Sequence, residues 1–213
     1  MRIHGGYTFI VGVFVMLLSH AVAASAQERG WYVGAGAGAS VTDLDEDFWR
    51  DDSITSSSFD KSGLGFQVYG GYRLHRYVAL EVGYLHFANS VYSGASNGRG
   101  SIWVEGPIEG RTEIEGMTMQ AVGLWPLFDG RFELYLRGGL FMWDTLANYS
   151  ATINDIHRFN ADGSSLIGGV GADMRVWGNW RIRGGMELTS VNFSNRETAL
   201  AAMATLGMRY PLH

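Results

Sequence analysis

Along most of this chain every second residue is apolar or glycine, and the residues between them carry the charge. Eight segments show the pattern: Trp31 to Val41, Gly63 to Leu74, Tyr77 to Phe87, Met117 to Trp125, Arg131 to Trp143, Ser165 to Trp177, Trp180 to Val191 and Thr198 to Tyr210. A period of two is the period of a β-strand. One parity holds 43 positions, from Trp31, Val33 and Ala35 to Leu206, Met208 and Tyr210, and none is charged or more polar than tyrosine. At the chain's overall composition, roughly 17 of those positions would be polar. The other parity holds Arg73, Glu81, Glu133, Arg137, Asp173, Arg175, Arg181, Arg183, Glu187 and Arg209, interleaved with glycine.

Water decides what this division means. A soluble barrel turns its charges outward, where they are solvated, and fills its interior with the apolar face. Here ten ionisable groups share a face with small residues, while the other face offers water nothing. Apolar outside and polar inside is the arrangement of a transmembrane β-barrel. Most segments run 9 to 13 residues, close to the ~9–11 that a tilted strand needs to cross a bilayer. In hydrocarbon every backbone group needs a partner, so such a sheet must close on itself. The predicted fold is therefore all-β, an eight-stranded antiparallel up-and-down transmembrane β-barrel, and the ten charges are expected to pair inside it as a structural network.

The start of the chain is different. Met1 to His4 is weakly basic, Tyr7 to Leu18 is apolar, and Ala24-Ser25-Ala26 is a small-x-small cleavage site. Residues 1–26 read as a secretory signal peptide and 27–213 as the barrel domain. The links between segments alternate in length. His75-Arg76, Pro126 to Gly130 and Gly178-Asn179 are turns, whereas Thr42 to Ser62, Ala88 to Glu115, Thr145 to Gly163 and Asn192 to Glu197 read as four surface loops. Short periplasmic turns and longer extracellular loops are the rule for outer-membrane barrels. With that orientation Trp31, Tyr72, Trp125, Phe132 and Tyr210 form a periplasmic-side aromatic girdle.

Several short motifs resemble the OmpA-like transmembrane domain, within the opacity-type family of outer-membrane barrels. Gly30-Trp31-Tyr32-Val33-Gly34-Ala35-Gly36 looks like its first strand; Gly70-Gly71-Tyr72-Arg73 and Leu80-Glu81-Val82-Gly83-Tyr84 look like its second and third. Leu124-Trp125-Pro126-Leu127 and Tyr135-Leu136-Arg137-Gly138-Gly139 resemble the fourth and fifth, and Gly168-Gly169-Val170 and Arg183 with Glu187 the sixth and seventh. Leu206-Gly207-Met208-Arg209-Tyr210 resembles the terminal signal read by the barrel-assembly machinery, with Leu212 where the family usually has Phe. The resemblance implies an integral protein of a Gram-negative outer membrane, in contact with its lipid and lipopolysaccharide. It also implies a monomer, without the peptidoglycan-binding domain of larger members.

The remaining chemistry is sparse. With no Cys, disulfides, thiolate metal sites and thiol nucleophiles are excluded. One lysine and a net charge of −5 speak against nucleic acid. Asp43, Asp45, Glu46, Asp47, Asp51, Asp52 and Asp60 crowd the first loop, without the spacing of a calcium loop. Lipid A deacylases, barrels of similar size, place a His and a Ser two residues apart with an acid. The nearest approach here is His86 and Ser90, while His75, His157 and His213 lack such neighbours. The expected function is thus non-enzymatic and free of cofactors and metals: envelope integrity or adhesion, with a host or cell-surface ligand at the loops. The alternatives are a narrow small-solute channel, motivated by the inward Gly34, Gly36, Gly38, Gly169 and Gly171, and a lipid A-modifying enzyme.

Overall fold

The computed structural model describes residues 29–43, 52–99, 103–151, 155–194 and 197–212. The proposed signal peptide, the acidic stretch 44–51 and His213 lie outside the described residues, as does the side chain of His157. Ten strands are present: β1 (Gly30–Asp43), β2 (Ile54–Asp60), β3 (Ser62–His75), β4 (Val78–His86), β5 (Ser90–Ser96), β6 (Gly106–Leu127), β7 (Phe132–Ala151), β8 (Asp155–Trp177), β9 (Trp180–Ser194) and β10 (Glu197–Leu212). Eight of them make a closed ring in the order β6-β4-β3-β1-β10-β9-β8-β7, closed by the β6–β7 pairing. All pairings are antiparallel. The ring is the eight-stranded barrel that the alternation predicts.

β2 and β5 add no staves. β5 pairs with the outer part of β6, above the stretch of β6 that pairs with β4, and β2 pairs with β5. Each continues the line of the strand next to it in sequence, β2 above β3 and β5 above β4. Among their described residues the first three expected loops are therefore largely sheet, because β2, β5 and the outer ends of β6, β7 and β8 occupy them.

The reason is a change in the sign of the alternation. In the lower part of β6 the exposed positions are apolar, as at Met117, Met119 and Trp125. From Glu115 upward the same outward parity reads Glu113, Arg111 and Glu109, and the inward parity holds buried Ile114 and Ile108. A strand in water hides its apolar face, and one in lipid displays it. Every stave makes this switch at one level: outward Val41, Leu64, Tyr84, Met117, Met142, Leu166, Leu188 and Leu200 give way to Asp43, Ser62, His86, Glu115, Asp144, Ser164, Ser190 and Thr198. That ring marks the outer edge of the lipid-facing belt. Above it β6 continues for ten residues, Gly106 to Glu115, which at ~3.4 Å per residue and a tilt of ~40° reaches about 25 Å beyond the belt.

At the inner edge two links are tight turns, and Gly178 adopts φ +54° in the one joining β8 to β9. That left-handed backbone suits a residue without a Cβ.

Candidate functional site: the lumen and its two ends

The interior is layered. Toward the outside, Leu85, Phe87, Ile114, Phe141, Trp143, Ile167, Val191 and Met203 pack into one buried cluster. Below it the inward parity delivers charges from six staves, and the register sets which of them are neighbours. Glu133 lies opposite Asp173 and Asp173 opposite Arg183.

These charges form a single connected chain. Arg137 pairs with Glu187 at 3.0 Å and with Glu81 at 3.6 Å. Arg183 reaches Glu81 at 2.6 Å and Asp173 at 2.9 Å. Arg209 bridges Asp173 at 3.1 Å to Glu133 at 3.0 Å, and Arg73 and Arg181 close on Glu133 at 2.6 and 3.2 Å. Nine of the ten charges on the polar parity are thus joined, five arginines with four acids. Aromatic rings complete the layer: the Arg183 guanidinium lies 4.9 Å from the Tyr69 ring centroid and 4.6 Å from that of Tyr135. The Tyr32 hydroxyl donates to Glu81 at 2.8 Å.

Arg175 is the exception. It is exposed at the inner mouth, beside an irregularity in the β8–β9 register between Arg175 and Trp177. The last acids of the network lie deeper, out of its pairing range among the described residues.

The inward glycines do not open a lumen. A Cβ at Gly34 would sit 2.3 Å from the Tyr69 ring, and one at Gly171 would sit 2.4 Å from the Tyr135 hydroxyl. The volume left by the missing side chains is taken by tyrosine, Gly36 and Gly38 face the backbone of β10, and Gly169 faces Glu187 and Arg137. Free volume at these glycines, the motive for a channel, is absent.

On the outer surface Trp31 and Trp125 are exposed, while Tyr72, Phe132 and Tyr210 are half-buried at the inner edge. Trp31 packs on Tyr72 with centroids 4.9 Å apart. Trp180 packs on Tyr210 at 4.8 Å. Trp180 was legible as the outward residue before Ile182 but falls at a segment start, where parity is weakest. At the outer rim His86 meets Glu115 at 3.2 Å and stacks on Phe66, whereas Ser90 is buried. Among the described residues no hydrogen bond joins His86 to Ser90. His75 sits in an inner turn against Tyr77.

A closed ring of eight staves, charged within and apolar without, is the geometry of a small outer-membrane barrel, and the family model of the OmpA-like transmembrane domain matches residues 26–212. The chain belongs to that family. It is a protein of the outer membrane. Among solved structures, this OmpA-like barrel is similar to Ail, the attachment invasion locus protein of Yersinia pestis, in complex with the heparin analogue sucrose octasulfate. The two share 17% identity over 87% of this chain and 100% of that one, with a TM-score of 0.53. Neisserial surface protein A is similar at 15% identity, 86% and 97% coverage and a TM-score of 0.53. OprG of Pseudomonas aeruginosa is similar at 13%, 86% and 96%, with 0.52. No curated protein matches the sequence. At these identities the likeness concerns the fold.

Proposed function

We propose that this OmpA-like barrel is exported by its N-terminal signal peptide and acts as a non-enzymatic surface-contact protein. The observation that carries the reading is the sheet above the belt. A barrel that served only to fill the membrane would turn at its outer edge. Here five strands continue into water, and β2, β5 and β6 build a core of their own, in which buried Tyr92, Trp103 and Ile108 pack with Ile54 and Phe59. Ordering that much backbone costs about 1–2 kcal/mol per residue, so the extension is a platform with a shape.

Its outward face is acidic. Glu115 lies opposite Asp144, and Asp144 opposite Asp162, in adjacent staves. Glu109, Glu113, Glu105, Asp43 and Asp60 add to the charge against Lys61, Arg99 and Arg111. Such a surface suits a basic partner and repels polyanions, so the octasulfate bound by Ail is not carried over. The lumen supports the same reading. Its cross-section is filled by an apolar layer over an ion-paired one, which leaves a small-solute channel without a path among the described residues.

Trimming residues 44–60 together with 90–111, in cells that display the protein, tests the role. The account predicts loss of adhesion to cultured cells and of serum survival, with the belt still folded as judged by different gel migration of unheated and boiled protein. Unchanged adhesion and survival in a folded trimmed barrel would refute it.

A further inference from the structure

The inner mouth of the barrel holds positive charge that the lumen network does not use. A cavity of about 900 Å³ opens there toward the periplasm, walled by Arg29, Arg73, Arg76, Arg175, Arg181 and Arg209. The acids in the same wall are Asp129 and Glu133, so four positive charges are left over. Glu133 is already shared among Arg73, Arg181 and Arg209. A carboxylate offers about four acceptor sites, whereas three guanidinium groups bring about fifteen N–H donors.

The shortfall is visible in the buried atoms. Nε of Arg73 and Nε of Arg181 have no hydrogen-bond partner among the described residues. The Arg181 side chain is only 6% exposed; its Nη1 is held by the Gly130 carbonyl at 3.1 Å, which fixes the fork in the cavity wall. Arg76 and Arg175 stand exposed at the lip. Desolvated cations held close together are costly, and an anion with several oxygens offsets that cost.

We propose that this vestibule is a binding site for a phosphate-bearing anion that enters from the periplasmic side. Guanidinium forks match phosphate oxygens two at a time. Arg181 and Arg73 supply donors at depth, Arg76 and Arg175 close over the ligand at the lip, and the excess charge favours a multiply charged group. Trp31 and Tyr72 belong both to the cavity wall and to the aromatic edge of the lipid belt. The phosphate therefore comes either from an inner-leaflet lipid headgroup or from a soluble compound.

The test uses the folded full-length barrel in maltoside micelles, which carry no phosphate. In one arm inorganic pyrophosphate is titrated by calorimetry; in the other, phosphatidic acid is added and bound lipid is counted by native mass spectrometry. Both arms are repeated with the double variant R76Q/R175Q, whose altered side chains are exposed and outside the ion-paired chain. Wild type is expected to bind one equivalent of at least one probe, and the variant to bind it roughly tenfold more weakly. Saturable pyrophosphate binding alone assigns a soluble ligand, and lipid binding alone assigns the headgroup. The proposal is overturned if wild type binds neither probe saturably, or if a variant with normal heat-modifiable migration binds as tightly as wild type.

Discussion

Glu133 is the most heavily shared group in the lumen, and its charge is the most informative one to remove. Its side chain is 3% exposed and lies within 2.6, 3.0 and 3.2 Å of Arg73, Arg209 and Arg181. Glu133→Gln keeps the shape and one acceptor oxygen. It leaves three guanidinium groups facing a neutral amide, with five arginines against three acids in the chain. Breaking a buried pair from one side costs about 3–5 kcal/mol, because the partner charge stays buried. Arg73 is less enclosed at 16% exposed, so Arg73→Gln alone is expected to cost about 1 kcal/mol. Once Glu133 is neutral, removing Arg73 also relieves repulsion. The double variant should therefore be more stable than additivity predicts by about 1 kcal/mol or more. Equilibrium urea unfolding of the vesicle-inserted protein, followed by tryptophan fluorescence, measures all four species. A loss below about 1 kcal/mol for Glu133→Gln, or strict additivity, would refute the view that the network holds its acids by compensating confined positive charge.

Other consequences follow from the same geometry. Gly185→Val places a branched side chain where even a Cβ would lie 2.0 Å from the Tyr135 hydroxyl; a loss of about 1–3 kcal/mol is expected in the urea assay, and a neutral effect would contradict the packed lumen. Leu206→Arg, on the exposed lipid face near mid-belt, should cost about 2–4 kcal/mol, against about 0–1 for Ser164→Arg at the outer rim. Equal costs at the two sites would misplace the belt. In planar bilayers the pure protein should show no discrete conductance, since tyrosines fill the space beside the inward glycines; defined, reproducible channel steps would sink that account.

How much of this was legible depended on which solvent each stretch meets. Within the belt, lipid imposes one rule on every stave, so the phase of Met117, Met119 and Ala121 betrayed the outward face. Above the belt the rule inverts. Glu109, Arg111 and Glu113 continue the outward line of Met117, but as polar residues they look like the start of a loop. The sequence therefore shows eight staves and conceals that three run on into water.

Inside the barrel, parity gathers Arg73, Glu133, Arg181 and Arg209 on one face without saying which meet. Pairing is set by register across the ring, and nothing local records that Glu133 serves three arginines. The same blindness made Gly34 and Gly171 look like empty volume. The residues that fill it, Tyr69 and Tyr135, are distant in sequence and reach it only once the sheet closes. Arg175 shares the parity of the network but sits one step beyond its last acid, a matter of strand ends that alternation cannot fix.

The central claim is that one strand changes solvent at Glu115 without changing its direction. The chain has no native cysteine, so single cysteines from residue 107 to 125 can be spin-labelled one at a time in vesicles and probed with oxygen and a nickel chelate. The account predicts oxygen maxima at Met117, Met119, Ala121, Gly123 and Trp125, low accessibility to both probes at Gln120, Val122 and Leu124, and nickel-accessible maxima at Glu109, Arg111, Glu113 and Glu115. Oxygen maxima that continue through 109–115, or that fall on Gln120, Val122 and Leu124, would contradict it.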